Sequence, residues 1–151
     1  MPITELFVSL KVPDNVAITA FHTLHRMGYH HLKNLEKQDY YKFGFSGDKK
    51  SFEKKIGKVD VLVNANKNKF SFLLENNEQG NKINILIENL EKDNELLNML
   101  KERLNFKNIK KLEKGIIWTM YFDSEIDKEG RAINIAKDLL MNENYQRYKI
   151  L

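Results

Sequence analysis

The chain has 151 residues, with 25 Lys and Arg against 21 Asp and Glu, a net charge of +4 and 42% apolar residues. That length sets one domain or two small ones, and that composition excludes a disordered chain. The absence of Cys excludes disulfide scaffolds, thiolate zinc sites and Cys nucleophiles, and no apolar run approaches the ~18–20 residues that span a bilayer. The N-terminus MPITELFVSLKV has no basic start and too short an apolar stretch for a signal peptide, so the expected location is the cytoplasm. Of the 25 cations 21 are Lys and four are Arg, and Arg is the residue that forks onto phosphate and guanine edges. With 17 Asn beside them, the lysines read as a coding bias on a solvated surface, without a nucleic-acid partner.

From Glu5 to Val12 the chain alternates, Leu6, Val8, Leu10 and Val12 on one side and Glu5, Phe7, Ser9 and Lys11 on the other, which predicts a half-buried strand. Pro13 ends it, and Asp14 or Asn15 can cap a helix whose apolar stripe is Ala17, Ala20, Phe21, Leu24 and Met27. Gly28 stands where a C-terminal cap belongs. A second strand is expected over 32–45, then a turn at Gly47-Asp48 and a Lys-rich segment. Residues 76–82 (NNEQGNK) hold no apolar side chain and read as a linker. After them Ile83, Ile85 and Ile87 alternate as a strand. Asp93 or Asn94 can cap a helix carrying Leu96, Leu97, Leu100 and Leu104. A strand is expected over 109–122, then a helix capped by Asp127 with Ala132, Ile135, Ala136 and Leu139 inward, and a short closing strand in YQRYKIL.

The second half repeats the first. Residues 27–45 (MGYHHLKNLEKQDYYKFGF) lie over 104–122 (LNFKNIKKLEKGIIWTMYF) at a constant spacing of 77, sharing an ungapped LEK core. Leu6, Val8 and Leu10 fall on Ile83, Ile85 and Ile87 at that spacing, and Leu62, Asn64 and Phe70 fall on Leu140, Asn142 and Tyr148 at 78. This is an internal duplication, with repeats at 1–75 and 83–151 joined by 76–82. It decides an ambiguous stretch. Residues 59–63 (VDVLV) read as a strand by β-branching, but their partners read as the end of a helix. The repeat therefore predicts a helix over 50–63 and a strand from Asn68 to Leu74. Each copy becomes β-α-β-α-β over about 75 residues, a size marginal on its own.

These residues resemble a known family. LFVSLKV, the helix ending HTLHRMGYHHLKNLEKQDYYKF and the ending LLMNENYQRYKI are similar to the small subunit of phosphoribosylformylglycinamidine synthase, the PurS family. Val8, Leu10 and Lys11 match its first strand. Leu24, Met27, Gly28 and Tyr29 match the end of its helix, and Leu139, Leu140, Asn142, Tyr148 and Ile150 match its close. These are packing positions, not catalytic ones. The family's usual Pro after the L-L-x-N element is replaced by Glu143 in one copy and Ala65 in the other. Family members are single units that pair, so the resemblance implies a fused dimer. The fold it implies is α+β, two tandem β-α-β-α-β repeats of PurS type related to the ferredoxin-like fold, with antiparallel sheets and helices on one face. It implies a non-catalytic subunit of an ATP-dependent ligase. That subunit holds together the synthetase and glutaminase subunits, which use ATP and glutamine to turn formylglycinamide ribonucleotide into the amidine in purine synthesis.

No other chemistry competes strongly. His22 and His25, three apart on the first helix, with His30 and His31 beyond, lack an acidic or Cys ligand at close helical spacing, and the second copy has no His. They read as surface or subunit-contact residues. The acidic run Asp123, Glu125, Asp127, Glu129 lacks the Gly and terminal Glu of a calcium loop. No Gly-rich phosphate loop, nucleophile elbow or RNA-recognition signature occurs. No catalytic residue, metal or cofactor is therefore expected. Tyr41 and Trp118, paired across the repeat, are expected with His22 and His25 at a subunit interface, and the fused chain is expected to form a homodimer. The alternatives are a tandem regulatory module for a small metabolite and a weak RNA-binding protein.

Overall fold

The computed structural model describes residues 1–74, 80–92 and 94–151. Within them the chain runs β1 (Ile3–Leu10), α1 (Asn15–Arg26), β2 (Leu32–Phe45), α2 (Lys49–Ile56), β3 (Asn68–Ser71), β4 (Lys82–Asn89), α3 (Glu95–Glu102), β5 (Ile109–Phe122), α4 (Lys128–Ile135) and β6 (Gln146–Ile150). α4 continues into one π turn, Ala136–Leu140. The fold is α+β: an open antiparallel sheet of six strands in the order β3-β1-β2-β5-β4-β6, with four helices, among the described residues. β2 and β5 have the expected bounds, whereas β3 stops at Ser71, three residues short of Leu74. Of the expected linker, 76–79 lie outside the described residues, as does Asp93, one of two cap candidates for α3. The other, Asn94, sits at the cap position but its side chain makes no capping hydrogen bond.

Two compact units divide the chain, and they are interleaved along it. Unit 1 takes Met1–Lys11, Asp39–Leu74 and Glu91–Lys114; unit 2 takes Val12–Gln38, the described part of Glu75–Leu90, and Gly115–Leu151. Each unit therefore takes one helix and half of a long strand from the opposite half of the sequence. Unit 1 buries Leu6 and Val8 of β1 and Phe43 and Phe45 of β2 against Phe52 and Ile56 of α2, with Leu100 of α3 and Ile109 of β5 completing the core. Unit 2 buries Ile83, Ile85 and Ile87 of β4 and Trp118, Met120 and Phe122 of β5 against Ala132 and Ile135 of α4, with Ala17 and Leu24 of α1 and Leu32 and Leu35 of β2. Leu32 and Leu35 share that core although they differ in parity, so the alternation of β2 slips by one residue between them. Ile109 and the half-buried Leu112 repeat the slip in β5.

Local chemistry explains most element ends. Asp14 caps α1, its carboxylate accepting from the Val16 N–H at 2.9 Å and the Ala17 N–H at 3.3 Å, and Lys37 pairs with the same carboxylate at 3.6 Å. The helix stops at Gly28, whose φ of 103° lies where glycine alone is unstrained; its N–H bonds the His25 carbonyl, and the Tyr29 N–H bonds that of Leu24. Met27 and Leu139, both expected inward on their helices, are exposed, as are Leu10, paired with Asn68 at the end of β1, and Val12 beyond it. Asp14→Ala removes the cap and leaves Lys37 unpaired. It is expected to cost about 1–2 kcal/mol, read as a lower urea midpoint at unchanged slope.

Three expectations are corrected. The helix predicted over 50–63 ends at Ile56, and residues 59–63 are neither helix nor strand: they form turns closed by Leu62 and Val63 N–H groups on the Val59 carbonyl. Gly57 stands at the C-terminal cap of α2, and Phe70 of β3 fills the space its side chain would take: a Cβ there would lie 2.8 Å from that ring. Asp127 occupies the cap position of α4 but adopts a left-handed backbone and makes no capping hydrogen bond. Asn84 and Leu86, expected on the solvent side of β4, are buried. Asn84 tolerates this because its side-chain oxygen accepts from the Thr119 hydroxyl at 2.6 Å.

One turn occurs twice. In unit 1 the Asn64 side chain accepts from the Asn66 N–H at 3.0 Å, the Asn64 N–H donates to the Asn68 side chain at 2.9 Å, and the Asn68 N–H returns to the Asn64 carbonyl at 2.7 Å. In unit 2 Asn142, Asn144 and Gln146 make the same three bonds, at 3.0, 2.9 and 2.8 Å. Each turn launches the strand that follows, β3 or β6.

Candidate interaction surfaces

The four residues expected at a subunit contact fall in different surroundings. Trp118 points into the core of unit 2 and is 5% exposed, so its side chain offers no surface to another chain. Tyr41 is half-buried at the margin of the unit 1 core, with its ring stacked on Phe43 at 6.3 Å. Burial, and then the Asp39 carboxylate, push its hydroxyl above the ordinary tyrosine range. His22 is exposed on α1. His25 is half-buried, its Nε2 2.7 Å from the Leu32 carbonyl and its ring 4.4 Å from that of Phe21. His25 thus ties the end of α1 to the start of β2 and is engaged within unit 2.

The remaining candidates gather near the start of β2. His31 Nδ1 lies 3.0 Å from the Asp123 carboxylate, and Arg131 Nη1 stands 3.9 Å from it, buried and without a hydrogen bond. The His31 hydrogen bond holds the Asp123 carboxyl below the usual range, helped by the charges of His31, Lys33 and Arg131. The acidic run is thus partly neutralised by its own neighbours. Among the described residues no three His, Asp or Glu side chains stand together in a way that could hold a metal ion, and no helix is long and apolar enough to cross a membrane.

The Tyr29 hydroxyl donates to the Asp138 carboxylate on the π turn, joining the end of α1 to the helix opposite. That bond, then burial and the Asp138 charge, raise Tyr29 from 10.0 to about 12. A raised pKa favours the protonated, folded form. The contribution is full below pH 10 and disappears as pH rises through 12. The expected result is that Tyr29→Phe lowers stability at pH 8 and that the difference from the parent chain vanishes by pH 12. A difference that persists unchanged at pH 12 would contradict the assignment of the effect to the protonated hydroxyl.

The interleaving of the units left no trace in the residue pattern, and neither did the occupation of Trp118 by a core. The paired Asn turns did leave one, in the Leu-x-Asn signals at spacing 78. No protein-family model matches this chain, and no curated protein matches it.

Proposed function

We propose that this chain is a fused double unit of PurS type and serves as the non-catalytic small subunit of phosphoribosylformylglycinamidine synthase, joining the synthetase subunit to the glutaminase subunit in purine synthesis. The observation that carries the reading is the pair of matching Asn turns at Asn64 and Asn142, each leading from an apolar segment into an edge strand. Several of the quoted family positions do matching structural work, although Leu10, Met27 and Leu139 are exposed. Leu24, Gly28 and Tyr29 end α1, Leu140 and Asn142 lead into β6, and Tyr148 and Ile150 pack from β6 against the unit 2 core. The element types run strand, helix, strand, helix, strand on both sides of the segment at 75–79, with 14-residue middle strands 77 residues apart. This supports two tandem repeats related to the ferredoxin-like fold.

The chain makes surfaces rather than chemistry. Its part is to hold two enzymes at a fixed separation, so that ammonia released from glutamine reaches the synthetase before it escapes to water. A homodimer of the fused chain goes with this reading, because β3 and β6 stand at the edges of the sheet and open edges invite pairing. Light scattering at micromolar concentration is expected to give twice 17.8 kDa, and a monomeric mass removes the homodimer. The tagged chain, purified from its own cells with glutamine and nucleotide present, is expected to carry both synthase subunits. Recovery of the chain with neither subunit contradicts the reading.

A further inference from the structure

α2 and the turn after it expose Lys49, Lys50, Lys54, Lys55 and Lys58 on one stretch of ten residues. The acids of that stretch are already occupied. Glu53 accepts from the Thr4 hydroxyl at 2.9 Å, and Asp48 accepts from the Ser51 N–H at 2.9 Å as the helix cap. Among the described residues none of the five lysines is in an ion pair.

Helix energetics oppose this arrangement. Lys49 and Lys50 stand in the first turn, at the positive end of the helix dipole, where a cation is destabilising. Lys50 and Lys54 are four apart and repel across one turn. The corresponding helix of unit 2, α4, mixes its signs as Lys128, Glu129 and Arg131. Unit 1 as a whole carries 16 Lys and Arg against 10 Asp and Glu, and unit 2 carries 9 against 11. A coding bias toward Lys would load the two alike. A local rule broken without local compensation points to a partner outside the chain.

The stretch has no Arg, and its one aromatic, Phe52, is buried beneath the helix. It offers neither a fork for guanine nor a ring for base stacking. What it offers is a row of mobile ammonium charges, which suits carboxylates spread over a protein surface. We propose that the exposed lysines of α2 and the turn after it, Lys49, Lys50, Lys54, Lys55 and Lys58, dock an acidic protein surface. Resting on the reading above, that surface belongs to one of the two synthase subunits. The charges steer encounter and set orientation, so the contact is fast and weakens with salt.

The test uses the full chain and its variant Lys50→Glu/Lys54→Glu/Lys55→Glu, beside a control with the same charge change at Lys33, Lys137 and Lys149. The probes are poly-L-glutamate, poly(U) RNA and the synthetase–glutaminase pair. The α2 variant is expected to bind poly-L-glutamate and the subunit pair at least about tenfold more weakly at moderate salt, and the control to change by less than about threefold. Its melting temperature should not fall, since the change relieves repulsion. Equal binding of both probes by variant and parent overturns the proposal, whether or not the subunits co-purify. If the parent fails to capture the subunits but loses poly-L-glutamate on reversal, the synthase reading fails and the acidic-surface proposal stands. Tighter binding of poly(U) than of poly-L-glutamate, lost in the same variant, overturns it in favour of nucleic acid.

Discussion

A chain cut between residues 78 and 79 is expected to yield halves that are not folded monomers. The first half retains β1, β2, α2 and β3, but the unit 1 core also needs Leu100 of α3 and Ile109 of β5, both fully buried. In exchange the first half carries α1 and the start of β2, whose Leu24, Leu32 and Leu35 belong to the unit 2 core. Each half therefore holds one incomplete core and one set of apolar residues without a host. Removing two fully buried aliphatic side chains costs about 2–5 kcal/mol each, against a total stability of about 5–15 kcal/mol. A second copy of the same half can supply what is missing, because Leu32 stands where Ile109 stands in the other copy and Leu24 one residue from the place of Leu100. The isolated first half is expected to run as a dimer with concentration-dependent melting, and the two halves mixed are expected to recover the parent's midpoint. A monomeric half with a cooperative melt that does not vary with concentration would contradict the exchange.

The second large effect is at Trp118. Its ring sits among Ile85, Met120 and Ile135 and is 5% exposed. Trp118→Ala is expected to cost about 3–5 kcal/mol and to lower the melting temperature by about 10 °C. Tyr41→Ala acts at the margin of the other core and should cost less. Had Trp118 served a subunit contact, its loss would change the mass measured by scattering before it changed the melting temperature. The placement in the core predicts the opposite order, with the fold weakened first.

The strands were legible because alternation is a local property. Both long strands stand where they were expected, over 32–45 and 109–122, and the turn from Pro13 to Asp14 marks the start of α1. The cores were legible only as faces. Leu35 and Phe43 lie on one strand and face the same way, yet they belong to different cores. Nothing in periodicity says which distant segment a face will meet. At residues 59–63 two local signals disagreed, β-branching and the repeat, and neither decided. The helix ends at Ile56, and the ring that packs over Gly57 comes from Phe70, thirteen residues on, a contact neither signal announces. Trp118 shows the same limit from another side: an aromatic at a repeat position can serve a core or an interface, and the sequence around it is the same in both cases. The lysines of α2 were visible from the start, but their meaning depended on where Glu53 and Asp48 point.

On the proposed function this chain bridges two enzymes without catalysing anything itself. The decisive measurement is amidine formation from formylglycinamide ribonucleotide and ATP by the synthetase and glutaminase subunits of the same organism, with and without this chain. Glutamine-driven turnover is expected to depend on the chain, while turnover driven by added ammonia is not. Equal glutamine-driven turnover in its absence would rule the bridging role out.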